Sequence, residues 1–253
     1  MAGPRQRRTF GRRLLQILGV VLLAWLLLTA IPVLVLRWLH PLTSAFMLEA
    51  ATQAALANQR GYQTDYRWVS LEHISPHAAI AVIASEDQQF PFHAGFDFTS
   101  IRAAVRAHER GARLRGASTI SQQVSKNLFF WSGRSFVRKA LEALGTVMIE
   151  ACWPKERILE VYLNVAEFGH GVYGVEAASR HFFHHPAARL TQPESALLAA
   201  VLPNPHLMHV ELPSAYVDSR VEWILGQMRG LGGPAYLEEM GSGTRGDFAH
   251  ARH

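Results

Sequence analysis

The chain has 253 residues, 49% of them hydrophobic and 18% charged, with a formal net charge of +5 and a single cysteine. That length suits one folded domain with accessories, and the apolar share is that of a globular chain with a membrane segment added. No nucleic-acid motif accompanies the basic excess, much of which is local (Arg5, Arg7, Arg8, Arg12 and Arg13), and the lone Cys152 excludes an intramolecular disulfide.

From Leu14 to Leu36 the sequence is apolar, interrupted only by Gln16, Gly19, Thr29 and Pro32. As a helix this run can cross a hydrocarbon core of about 30 Å. A cleaved signal peptide would have a shorter apolar region followed by a small-x-small site. Trp38-Leu39-His40-Pro41 follow instead, which favours a retained anchor. Five arginines precede the run and Arg37 follows it. The expected topology is a cytoplasmic basic tail (1–13), a transmembrane anchor (14–39) and an exported remainder.

Ser44 to Asn58 reads as an Ala-rich helix, and Gln63 to Trp68 as a short extended piece. Ile74-Ser75-Pro76 opens a helix, His77 to Ser85, so apolar that it is expected to be buried. Ser118 is the expected N-cap of the next helix. Ile120, Val124 and Leu128 form its inner stripe, with Thr119, Gln123 and Lys126 on another face. The following helix carries Val137, Leu141, Leu144 and Met148 at the same kind of spacing, and another runs from Lys155 to Asn164. Thr191-Gln192-Pro193-Glu194 is a capping box with proline in the first turn, ahead of a helix from Ser195 to Leu202. Ser214 caps a last helix with Val217, Val221, Ile224 and Met228 on one side. No sustained alternation of period two appears. The reading is a mainly α-helical domain over 40–233, followed by a flexible polar tail over 234–253.

Several residues could carry chemistry. Glu86 ends the buried helix and precedes Phe90, and a partly desolvated carboxylate suits a general base. On local context a solvated helix-end carboxylate is an equal reading. Glu142 lies one turn from Arg138, where a surface ion pair is the simpler account. Lys126 reads equally as a solvated lysine or as a site cation. His181, His184 and His185 tempt as a metal cluster, since His181 and His185 are four apart, but the span ends at Pro186, ligation usually needs acidic or sulfur partners on the same face, and a basic helix end explains them.

Taken together, the motifs resemble the glycosyltransferase family 51 domain of peptidoglycan polymerases, in its monofunctional branch. The family's Glu-Asp-x-x-Phe-x-x-His-x-Gly is met by Glu86, Asp87, Phe90, His93 and Gly95. Its Gly-x-Ser-Thr-Ile-x-Gln-Gln-x-x-Lys-Asn is met by Gly116, Ser118, Thr119, Ile120, Gln122, Gln123, Lys126 and Asn127. Arg138, Lys139 and Glu142 meet Arg-Lys-x-x-Glu, and Ile158 to Asn164 meet Ile-Leu-Glu-x-Tyr-Leu-Asn. One departure is His184-His185, where the family often has a lysine before Pro186. If that lysine meets substrate phosphate, the contact here is weaker or pH-dependent.

The resemblance implies a lysozyme-like helical glycosyltransferase domain on one N-terminal transmembrane helix, periplasmic and held at the inner membrane. It implies inverting polymerisation of lipid II into β-1,4 glycan strands with release of undecaprenyl diphosphate. Glu86 is then the base on the acceptor 4-hydroxyl, and Glu142 the catalytic carboxylate on the donor side. Asp87, Phe90, His93, Ser118, Thr119, Gln122, Gln123 and Asn127 are expected to bind substrate, and Lys126, Arg134, Arg138 and Lys139 to meet the diphosphate charge. No tightly bound cofactor or protein metal site is expected; Mg²⁺ could ride on the substrate diphosphate. Expected partners are lipid II, the nascent strand, membrane lipid, and penicillin-binding transpeptidases with division proteins, since the chain leaves no room for a transpeptidase. A muramidase on the same kind of fold also uses paired carboxylates, but needs no cation cluster. A non-enzymatic assembly factor needs no complete motif set.

Overall fold

The computed structural model describes residues 4–111, 118–133 and 135–241, without the side chains of 4–12, 14, 15, 18, 22, 25, 26 and 107. The chain divides into Met1–His40 and Pro41–His253. The first unit is a helix, α1 (Pro4–Leu36), with Pro32 inside it. Among the described residues no helix is long and apolar enough to cross a membrane.

The second unit follows in chain order as α2 (Ala45–Leu56), β1 (Asp65–Tyr66), α3 (Pro76–Glu86), α4 (Phe98–Glu109), α5 (Ile120–Phe129), α6 (Phe136–Cys152) and α7 (Lys155–Val165). Then come β2 (Glu167–Gly169), β3 (Val172–Tyr173), α8 (Val175–Phe183), α9 (Gln192–Val201), α10 (Ala215–Gly230) and α11 (Glu238–Gly241). The unit is mainly helical, as its periodicity predicts. Its small sheet has the order β1-β3-β2, with β1 parallel and β2 antiparallel to β3. Strands of two or three residues are too short for alternation to show in the sequence.

The core forms around α3. Every residue from Ala78 to Ala84 is buried, as an all-apolar helix requires. Ser75 caps it, accepting from the His77 amide while its hydroxyl donates to the Leu190 carbonyl. α3 packs on α9, α9 on α10, and α5 lies against both α6 and α7. Asn164, which closes the last motif, exchanges hydrogen bonds with both backbone groups of Val69. That residue holds the β1 side of the unit to α7.

Three expectations need correction. The cap of α5 is Thr119, not Ser118: Thr119 Oγ1 accepts from the Gln122 amide, and Gln122 Oε1 accepts from the Thr119 amide. A reciprocal box satisfies two orphan donors, which a lone serine cannot do. α6 does not turn its apolar stripe inward. Its buried residues are Glu142, Gly145, Thr146 and Ile149, while Val137 and Leu144 are exposed. Gly145 explains the inversion, because a Cβ there would lie 2.5 Å from Ser125 Oγ on α5. Close approach of the two helices selects the small and polar face. Finally, the tail expected to be flexible from 234 continues through a short 3₁₀ turn into α11. The Tyr236 hydroxyl donates to the Gln88 carbonyl at 2.6 Å, which ties 234–241 to the end of α3; residues 242–253 lie outside the described residues.

Candidate active site

Glu86 is the last residue of α3, and its side chain is only 14% exposed. Gln123 Nε2, from α5, donates to its Oε2 at 2.9 Å. Arg220 Nη2, from α10, reaches its Oε1 at 3.4 Å. Burial raises the Glu86 pKa above the ordinary carboxylate value. The Gln123 hydrogen bond and the charges of Arg220 and Lys126 offset part of that rise. Behind Gln123, the fully buried Tyr162 of α7 donates its hydroxyl to Gln123 Oε1 at 3.2 Å. That bond fixes which end of the amide faces Glu86.

Asp87 follows immediately but has a different task. Its buried carboxylate accepts from His93 Nε2 at 2.9 and 3.0 Å and from the Ile120 amide at 2.9 Å. His93 Nδ1 in turn accepts from the Gly95 amide, so the tautomer that satisfies every bond carries its proton on Nε2. Gly95 has φ +86°, and a Cβ there would lie 2.7 Å from Thr146; its carbonyl accepts from Thr119 Oγ1. Phe90 is fully buried, with the Lys155 ammonium 4.6 Å from its ring centre. The first motif is therefore a brace that fixes the start of α5 against the end of α3. The side chains of Asp87, His93, Thr119 and Gln122 are enclosed and hydrogen-bonded within this brace, and Phe90 is buried beside them. Asn127 is buried on α5, and Ser118 is exposed just before it.

The cations gather along α5 and α6. Glu142, 3% exposed, accepts from Arg138 Nη1 at 2.7 Å and from Lys139 Nζ. Its carboxylate holds two cations side by side, a buried arrangement rather than a surface pair. Arg138 Nε is buried with no partner among the described residues, as is Arg220 Nε; an orphaned guanidinium donor is a place for an anion. Lys126 lies 5.2 Å from the Phe46 ring centre of α2. Burial lowers its pKa, as do Arg138 and Lys139, while Glu142 and Glu86 oppose the fall. Lys126 thus feels both carboxylates. Arg134 lies outside the described residues.

Among the described residues no group of three or more His, Cys, Asp or Glu could hold a metal ion. His185 faces the Pro186 carbonyl and Glu194, both at 3.1 Å, and these partners raise its pKa. His181 pairs with Glu211 at 3.8 Å. His184 is exposed in the left-handed conformation at the end of α8. Of the two histidines before Pro186, only His185 is thus directed to the start of α9.

Two site residues escaped sequence reasoning. Tyr162 stands inside a quoted motif but reads as a core aromatic. Arg220 had only one signal, a cation beside the apolar stripe Val217, Val221 and Ile224.

A family model described as Transglycosylase matches residues 52–229. The chain is similar to biosynthetic peptidoglycan transglycosylases of several bacteria. One from Xylella fastidiosa (strain M23) is 49% identical over 233 residues, covering 92% of this chain and 94% of the relative. One from Xanthomonas campestris pv. campestris (strain B100) is 50% identical over 230 residues, covering 90% and 94%. One from Escherichia coli is 56% identical over 197 residues, covering 78% and 81%. Matched along most of its length by both the family model and these relatives, the chain belongs to the transglycosylase family.

Proposed function

We infer that this chain is a peptidoglycan glycosyltransferase that polymerises lipid II into β-1,4 glycan strands. Its similarity to biosynthetic peptidoglycan transglycosylases supports the polymerisation of peptidoglycan, and the site supports the chemistry. The carrying observation is one buried carboxylate held by Gln123 and Arg220, with a raised proton affinity, in the field of Lys126, beside a pair of cations fixed on Glu142.

The acceptor 4-hydroxyl attacks the donor anomeric carbon from the face opposite the leaving group, which inverts that centre. Glu86 takes the hydroxyl proton as the new C–O bond forms. The bond from the anomeric carbon to the phosphate oxygen breaks, and its electron pair leaves with undecaprenyl diphosphate. That group departs as an anion, so no proton donor is needed; Lys126, Arg138 and Lys139 meet its growing charge. The Glu142 carboxylate is already engaged by two cations, so a Mg²⁺ ion would be carried by the diphosphate rather than by the protein.

The sequence from Leu14 to Leu36 supports a single-pass inner-membrane anchor with the catalytic unit in the periplasm. Exposed Phe136, Val137, Leu144 and Val147 on α6 suit a unit working beside lipid.

The test uses lipid II as the sole substrate. The wild-type chain lengthens it into strands, and Glu86→Gln loses about 10² to 10⁴ in kcat/KM. Release of fragments from isolated cell wall without elongation would establish a hydrolase instead. Polymerisation by Glu86→Gln within a few-fold of wild type would place the base elsewhere.

A further inference from the structure

α10 passes the end of α3 that carries Glu86. Val217, Ile224 and Met228 are its buried side. Beside them Tyr216, Arg220, Trp223 and Gln227 are spaced four, three and four residues apart and share one helical flank. Two members of that flank are fastened at the site. Arg220 reaches Glu86 at 3.4 Å, and Gln227 Oε1 accepts from Gln88 Nε2 at 2.9 Å. The other two are exposed aromatics, Tyr216 at 61% and Trp223 at 45%. Apart from the small terminal residues Ala215 and Gly230, the other exposed residues of α10 are polar: Asp218, Ser219, Glu222 and Arg229. The aromatics are thus sorted to the flank that borders the carboxylate, whereas scattered exposed rings would carry no meaning.

A pyranose ring presents a face of C–H groups, which packs on the electron-rich face of an aromatic ring. Tyr216 and Trp223 are seven residues apart, about 10.5 Å along a helix axis, which is the length of two β-1,4-linked sugar units. A strand lying along α10 would therefore offer the same kind of sugar to both rings. The N-acetylglucosamine units, which lack the lactyl-peptide, have the open face that stacking needs. We propose that Tyr216 and Trp223 form a stacking platform for the N-acetylglucosamine units of a glycan strand, aligning it toward Glu86. The platform rests on the glycosyltransferase reading above and adds a subsite to it.

The experiment titrates the full chain in detergent with peptide-free strand fragments of one, two and three disaccharides, followed by calorimetry. Wild-type affinity is expected to rise from one disaccharide to two, as the second ring is reached. Trp223→Ala and Tyr216→Ala each lose about three- to tenfold for the longer fragments, and Trp223→Phe keeps most of the affinity. The same length dependence in both alanine variants, or no binding of any fragment by wild type, overturns the platform. Elongation of lipid II by the same wild-type preparation separates the two readings. A chain that elongates lipid II while its alanine variants bind like wild type loses only the platform. A chain that binds fragments in this way but does not elongate keeps the platform and loses the glycosyltransferase reading.

Discussion

Glu86 serves two opposed requirements. As the proposed base it would act in its ionised form, and its buried position favours the protonated one. A carboxyl whose folded pKa lies above its unfolded value adds stability that is complete below the unfolded pKa. That contribution is lost as pH rises through the folded pKa. Wild type therefore carries at neutral pH the part of the burial cost that Gln123, Arg220 and Lys126 do not offset, a cost that Glu86→Gln does not carry. Calorimetry should find the Tm of Glu86→Gln equal or higher at neutral pH, with the gap closing as pH falls toward the ordinary carboxylate value. A lower Tm at neutral pH would show that the Arg220 pair outweighs burial. Tyr162 offers a separate test, because its hydroxyl orients Gln123 toward Glu86. Tyr162→Phe keeps the packing but frees the amide to turn. We expect kcat to drop about tenfold with KM little changed; a rise in KM alone would assign Tyr162 to substrate binding. Glu86 and Gln123 were legible because they stand in dense local motifs. Arg220 lies 134 residues from Glu86, and no local pattern tells which residue of a helix reaches back across the fold.

At the scale of elements, starts and stops were legible and faces were not always so. The capping box at Thr191 and the cap at Ser214 appear where the sequence places them, because capping depends on residues three apart. α6 shows the limit. Its apolar spacing points one way, and its packing follows Gly145 and the buried Glu142 instead. Burying Glu142 is tolerable only because Arg138 and Lys139 share its helix, a local signal whose value depends on a neighbour the sequence does not locate. The contact between α5 and α6 also sets the distance from Lys126 to Arg138 and Lys139. Gly145→Ala would place a methyl 2.5 Å from Ser125 Oγ, a side chain already bonded to the Glu142 carbonyl. Overpacking there should cost about 1–3 kcal/mol in urea unfolding. It should also lower kcat/KM, because the cations move apart. A fully active and equally stable variant would show that the two helices separate without consequence for the site.

At the scale of the molecule, the chain divides after His40, and the second unit contains the whole α3–α5–α6–α7–α9–α10 core with the site in it. The cap of α2 at Ser44 and the bond from the Tyr66 hydroxyl to the Pro41 carbonyl close that unit near its own start. Removal of residues 1–39 should therefore leave a folded protein, with a thermal transition within a few degrees of the full chain. The proposed anchor would contribute through concentration. A tethered enzyme meets a substrate confined to the same bilayer at a high effective concentration, and a free one must first reach the surface. The truncated chain should turn over lipid II in detergent at the rate of the full chain, yet fall about tenfold or more in liposomes. If the proposed lipid-facing role of exposed Phe136 and Val137 on α6 holds, their apolar surface should set a floor to that loss. Charged substitutions at both positions in the truncated chain should remove the floor while leaving the detergent rate unchanged. Equal turnover of full and truncated chains in liposomes would show that the anchor fixes location alone, and loss of the detergent rate on truncation would show that residues 1–39 complete the catalytic unit.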